Sequence, residues 1–459
     1  MPGPILIVVS DFHLGAGFFN GTNVLEDFTS DEAFANLLQM LMQESESTNR
    51  PSELVINGDF GEFLQVPSVP QFNVNKSYDP ADYQDMDEEA SVTKLRHLIA
   101  GHPKLFDALQ AWLRFAPPQR RLVITKGNHD PQWHWPAAQA FLRQRLGATG
   151  DNAILLEFPA LGYQRPGVYI EHGNQYAESA NRFTNFEKPL DPQDPNQLET
   201  PWGSKFVIEF FNQIERDKYW VDGVSPYTAL VWFALKYDPA FAFRALAALL
   251  RAAPKLIGIR EAVMDSWTTN IQTNPLAAAQ RFQTDMAYRK EVMTMAAHML
   301  GQLEPNAASR VMSAVVGDED PLQLAVDLIK EQQRELAKAA EQLAQRYQAS
   351  VVLFGHTHRP VNEPLVSGAR YINTGAWVWL MDFENATDEQ WRDLFAHPAR
   401  YATRRRLNYA RIDYDDHGKP AAQLLEFQPQ TTHPIAPLHP RPNWLERIVE
   451  FIRKLIGLK

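Results

Sequence analysis

Five short fragments hold most of the side chains able to do chemistry: Asp11-Phe12-His13, Gly58-Asp59, Gly127-Asn128-His129-Asp130, His172-Gly173-Asn174 and Gly355-His356-Thr357-His358. Each follows an apolar, β-rich run, so each is expected on a loop just beyond a strand, where α/β proteins present ligand-binding groups. Residues two apart in an extended segment point the same way, so Asp11 with His13, and His356 with His358, can aim paired side chains at one point. The glycines let the chain turn sharply as it leaves the sheet. Pooled, Asp11, His13, Asp59, Asn128, His172, His356 and His358 make a nitrogen and oxygen donor set large enough for two divalent cations. The chain has no cysteine, which removes thiolate sites and disulfides. Imidazoles mixed with Asp and Asn suit Mn, Fe, Zn or Mg better than calcium, which prefers an all-oxygen shell.

The elements that must position these fragments can be read from the same pattern. Strand signals recur at Ile5 to Val9, Glu53 to Ile56, Arg121 to Thr125, Ala153 to Phe158 and Val168 to Glu171. They return at Ser350 to Phe354, Arg370 to Ile372, Leu407 to Asp413 and Ala422 to Phe427, the last two forming a hairpin turned at Asp415 to Lys419. Helical patterns fill gaps at Asp31 to Gln43 and at Glu88 to Phe115, the latter broken by Pro103. The alternation predicts an α/β layered core. Between about Asn185 and Asp318 strand signals stop, and prolines punctuate what reads as a set of inserted helices. The stretch Tyr227 to Leu250 is so rich in Ala, Leu, Phe and Trp that it must pack on itself, on the core or on something greasy. Pro321 fits the first turn of a long helix reaching about Tyr347.

The ordered series D-x-H, G-D, G-N-H-D, H-G and G-H-x-H resembles the calcineurin-like metallophosphoesterases, over roughly residues 4 to 175 and 325 to 427. That resemblance implies a four-layer α/β/β/α sandwich with two metals, manganese favoured. Asp11, His13 and His358 would then hold one metal, Asn128, His172 and His356 the other, and Asp59 would bridge them. His129 would be the catalytic histidine, protonating the leaving oxygen, while Asp130 is expected to orient that imidazole through its other ring nitrogen. Two neighbouring cations would supply hydroxide and clamp the phosphoryl oxygens during in-line attack. Asn373-Thr374-Gly375 and Pro360 also look like family features. Arg182 and Arg359, close to the motifs, are candidates for binding the substrate phosphate. The remaining histidines, including His97, His102 and His134, have no partner at ligand spacing and read as surface residues.

The expected organisation is a core in two parts, 1–184 and 321–428, an all-helical cap at 185–320, a proline-rich linker at 429–442 and an amphipathic helix at 443–459. The cap stands roughly where bacterial UDP-diacylglucosamine pyrophosphohydrolases carry a smaller helical lid over lipid chains. In the tail, Trp444, Leu445, Ile448, Val449, Phe451, Ile452, Leu455 and Ile456 share one helical face, suited to a membrane surface, to this protein's core or to another subunit. A formal charge of −11 weighs against a protein that coats nucleic acid. No secretory signal or membrane-spanning run is evident, which gives a cytoplasmic expectation with peripheral membrane contact through the tail. The expected function is hydrolysis of a phosphate ester or pyrophosphate, with a lipid-linked or amphiphilic substrate preferred. The alternatives are a nuclease or nucleotide phosphodiesterase, and a non-catalytic scaffold keeping the fold.

Overall fold

A computed structural model describes residues 3–176, 179–257, 271, 273–292, 320–402 and 405–428. The linker at 429–442 and the tail at 443–459 lie outside the described residues, as does part of the cap. The chain is a mixed α/β protein built on two principal sheets. Strands β1 (Ile5–Val9), β2 (Ser52–Asn57), β3 (Arg120–Thr125) and β4 (Leu156–Glu157) run parallel in the first sheet. The second sheet holds β5 (Tyr163–Arg165), β6 (Val168–Ile170), β8 (Val351–Phe354), β9 (Pro360–Pro364) and β10 (Arg370–Thr374), with β6, β8 and β10 parallel. The hairpin of β12 (Asn408–Tyr414) and β13 (Pro420–Glu426) joins the first sheet antiparallel to β1. The remaining pair, β7 (Val224–Ser225) and β11 (Met381–Asp382), forms a small parallel bridge.

Alternation along the strands decides which face each residue joins. In β1, Ile5, Ile7 and Val9 pack under the helices Asp31–Thr48, Glu88–Gly101, Pro103–Trp112 and Pro136–Leu146. Leu6 and Val8 point the other way, against Val168, Ile170, Val351, Leu353 and Ile372 of the second sheet. The far face of that sheet, with Val352, Phe354 and Tyr371, is covered by Leu336, Ala340 and Leu343 of the Pro321–Tyr347 helix. Asp320 caps this helix by accepting from the Leu322 amide.

The cap packs mainly on itself. Buried residues of the Trp202 to Asp217 segment, of Tyr227–Tyr237 and of Pro239–Ile257 join one cluster with Trp391 and Leu394 of the Asp388–Ala396 helix. The greasy stretch therefore finds its partners in neighbouring helices. The cap is not purely helical, because β7 extends from it to pair with β11.

Several expectations need correction. The run expected as a strand from Ala153 is a 3-10 turn over Gly150–Leu155, leaving only Leu156–Glu157 paired with β3. The strands β5 and β9 and the helices Pro136–Leu146 and Asp388–Ala396 were not anticipated. His102 is not a surface residue: it is buried between two helices, Nε2 lying 3.3 Å from Glu26 and Nδ1 3.1 Å from Asp31.

Candidate metal centre

All five fragments leave the carboxyl ends of parallel strands, and the two sheets bring them to one place. Asp11 and His13 follow β1, Asp59 follows β2, Asn128 and His129 follow β3, His172 follows β6, and His356 and His358 follow β8. The first two loops are laced together, since the Phe12 and His13 amides both donate to the Asp59 carbonyl at 2.9 Å. Asn57, at the end of β2, ties the sheets to each other. Its side chain donates to the Glu171 carbonyl at 2.9 Å, and its own carbonyl lies 2.9 Å from His172 Nδ1. That contact fixes Nδ1 as the donor of His172 and turns Nε2 toward the other ligands. Asn373, in the Asn373-Thr374-Gly375 turn, donates to the Gly355 carbonyl at 2.6 Å and steadies the last motif.

Positive φ angles mark the site most plainly. Asp11 (55°), His13 (51°), Asp59 (48°), His356 (71°) and His358 (57°) all adopt the left-handed region, which non-glycine residues seldom occupy. Such strain persists only where the surroundings enforce it, and it gathers at functional sites. The neighbouring glycines are spatial necessities. A Cβ on Gly127 would strike the Asp59 carboxylate, and one on Gly355 would strike that of Asp11.

The ligand atoms fall into adjoining groups. Asp11, His13 and His358 form one, and Asp59, His172 and His356 another. Asp59 lies between them: Oδ2 is 3.0 Å from His172 Nε2 and 3.8 Å from His13 Nε2. His13 and His358 present their Nε2 atoms to each other at 2.9 Å, and His358 Nε2 is 3.6 Å from Asp11 Oδ1. Asn128 Oδ1 is buried with no hydrogen-bond partner among the described residues. Orphaned lone pairs at such depth are costly unless something else satisfies them. A pair of cations fits this set: the donors are hard or borderline, they converge, and Asn128 Oδ1 lacks any other partner among the described residues.

The side chains of this buried cluster shift one another strongly. Burial raises Asp59, but the charges of His172, His129 and His13 outweigh it and hold the carboxyl well below its ordinary range. Burial lowers His172, yet the charge and hydrogen bond of Asp59 push the imidazole up to about 10. Burial and then the neighbouring His172 charge depress His356 to about 3. For His129, burial lowers the value, but Glu62 first and Asp59 second raise it to about 9.

Glu62 is the residue that motif reading missed. Its carboxylate accepts from His13 Nδ1 at 2.6 Å and from His129 Nδ1 at 2.7 Å and 2.9 Å through its two oxygens. It thus sets the tautomer of a ligand and of the expected catalytic histidine at once. The only sequence signal was an acidic residue three positions beyond Asp59. Asp130 does not orient His129, contrary to expectation. Its carboxylate accepts from the amides of Gly127 (2.6 Å), Phe60 (2.7 Å), Asp59 (3.2 Å) and Gly61 (3.3 Å), and from Trp133 Nε1 (2.8 Å). Five donors occupy it fully, so it acts as the clip that joins the second and third loops.

A cavity of about 650 Å³ opens over the ligands, with Arg182 and Arg359 in its wall. Arg182 donates to the Tyr176 carbonyl at 3.1 Å. Arg359 is already engaged, ion-paired with Glu384 and donating to Ser225 Oγ at 2.6 Å. No family model and no curated protein matches the chain.

Proposed function

We propose that this protein is a two-metal phosphoesterase of the calcineurin-like kind, hydrolysing a phosphate ester or pyrophosphate bond. The observation that carries the reading is the convergence of Asp11, His13, Asp59, His172, His356 and His358 into ligand groups that adjoin at Asp59, with Asn128 lining the cavity over them. The order of helices, first sheet, second sheet and long helix supports the four-layer sandwich that goes with it.

Bound there, two divalent ions, manganese favoured, would supply an activated water and offset the charge that builds on the phosphoryl oxygens. Asp11, His13 and His358 would hold one, Asn128, His172 and His356 the other, and Asp59 both. His129 does the proton chemistry. With Nδ1 held by Glu62, Nε2 is the atom left to give a proton to the departing oxygen. The Asp59 carboxylate also accepts from the His129 amide at 2.9 Å, so the acid and the shared ligand move as one unit.

The cavity favours an amphiphilic substrate. Phe211, Tyr227 and Leu328 line it beside the polar groups, and Tyr227 also lines a second cavity of about 110 Å³ walled by side chains such as Phe210, Leu230 and Leu246. Glu215, Glu331 and Glu335 in the wall weigh against a nucleic-acid strand. Among the described residues no helix is long and apolar enough to cross a membrane. The test is turnover of an aryl phosphate ester by manganese-loaded protein. Asp59→Asn and His129→Ala should each abolish most of it, and activity that survives both unchanged defeats the assignment.

A further inference from the structure

The wall of the main cavity carries polar groups that hydrolysis leaves unused. Asp27, Glu215 and Asp222 line it together with Gln65 and Trp379. The carboxyls of Asp27 and Asp222 hydrogen-bond each other, and Gln65 donates to Glu215 at 2.6 Å. Trp379 is 2 % exposed, yet its Nε1–H has no partner among the described residues. Asp222 Oδ1 and the Nε and Nη2 of Arg405 are likewise buried and unpartnered. These groups are neighbours: a Cβ on Gly223 would sit 3.1 Å from Trp379 Nε1, and the Arg405 guanidinium lies 6.0 Å from the Trp379 ring centre.

The mixture of orphans decides what chemistry fits. An ammonium group would satisfy the carboxylates but offer nothing to the Trp379 and Arg405 donors. A phosphate or carboxylate would take those donors but leave the Asp222 acceptor unmet and face the charge that the Asp27–Asp222 pair retains. A hydroxyl both gives and accepts, and adjacent hydroxyls can bridge a carboxylate while receiving an N–H.

We propose that Asp27, Asp222 and Trp379 form a subsite for a hydroxyl-rich part of the substrate, a glycerol or sugar unit esterified to the scissile phosphate. The proposal rests on the hydrolytic reading above and names its substrate class. The subsite lies close to the metal centre, since the charge of His13 acts on Asp222 and that of Glu62 on Glu215.

The experiment compares two diesters on manganese-loaded full-length protein: glyceryl p-nitrophenyl phosphate and propyl p-nitrophenyl phosphate. Both release p-nitrophenolate when water attacks phosphorus, and they differ only in two hydroxyls; because the glyceryl 2-hydroxyl can also expel p-nitrophenolate by cyclisation, turnover is counted as the acyclic glyceryl or propyl phosphate formed. The glyceryl ester should be preferred in kcat/KM by about tenfold or more, because a site built for hydroxyls rejects the analogue lacking them. Asp222→Asn and Trp379→Phe should each bring that ratio close to one. A wild-type ratio near one, or variants that keep the preference, overturns the subsite. Should neither ester turn over, the hydrolytic reading fails separately, and binding still decides the subsite. Glycerol 3-phosphate should then raise the melting temperature more than propyl phosphate does, by a margin that Asp222→Asn removes. Equal shifts would overturn the proposal.

Discussion

Replacing Glu62 with Gln tests the proton chemistry without touching a ligand atom. The carboxylate holds two imidazoles through contacts of 2.6 to 2.9 Å and is the largest influence raising His129 from its ordinary 6.5 to about 9. That displacement corresponds to roughly 3 kcal/mol in favour of the imidazolium, won against burial. The neutral amide keeps the shape and loses the charge, so burial prevails and the His129 value falls. The sign follows from its role as an acid. The rate drops as pH rises through the His129 value, so a lower value moves the basic limb of the pH profile to lower pH. We expect that limb to fall by about one to two pH units and kcat at pH 8 to fall roughly two- to tenfold, as the protonated fraction of His129 shrinks. The assay is aryl phosphate turnover from pH 5 to 10 at saturating manganese, because His13 loses its orienting partner and metal affinity drops roughly 10- to 100-fold as well. A variant with an unshifted limb and kcat within about twofold of wild type would refute the reasoning.

Three further outcomes are expected. Asp130→Asn should lower stability by about 2 to 3 kcal/mol in urea unfolding, since a buried acceptor of five hydrogen bonds loses its charge, while the basic limb of the pH profile stays in place. His102, pushed up to about 10 by Glu26 and Asp31 against burial, contributes stability that is fully present below pH 6.5 and is lost as pH rises through 10. His102→Gln should therefore cost roughly 5 kcal/mol at pH 6 and much less at pH 10.5, read by unfolding at both. Chelation should lower the melting temperature and added manganese should restore it, because ligands that bind only the folded chain stabilise it by mass action.

The candidate metal ligands were legible because each sits two to four residues past an apolar strand, beside a glycine or two apart from another residue of ligand type. Glu62 was not, since its partners His13 and His129 come from other loops and no spacing reveals them. Asp130 was misread for the same reason: adjacency to His129 in sequence says nothing about the five donors that surround its carboxylate. The helix Pro136–Leu146 carried usable signals, a proline at its start and Gly147 at φ 69° past its end. The strand expected from Ala153 failed because a 3-10 turn begins at Gly150, itself at positive φ, and consumes most of the apolar run. β7 and β11 were out of reach, since two-residue strands carry no periodicity and their pairing spans the whole cap. The subsite at Asp27, Asp222 and Trp379 draws on segments too distant in sequence for any motif to join.

Asp59 is proposed to be shared by two ions. Crystals of the manganese-loaded protein, measured at the manganese absorption edge, test this directly. Two anomalous peaks should flank Asp59, one among Asp11, His13 and His358 and the other among Asn128, His172 and His356. One peak alone, or none at full manganese supply, would contradict it.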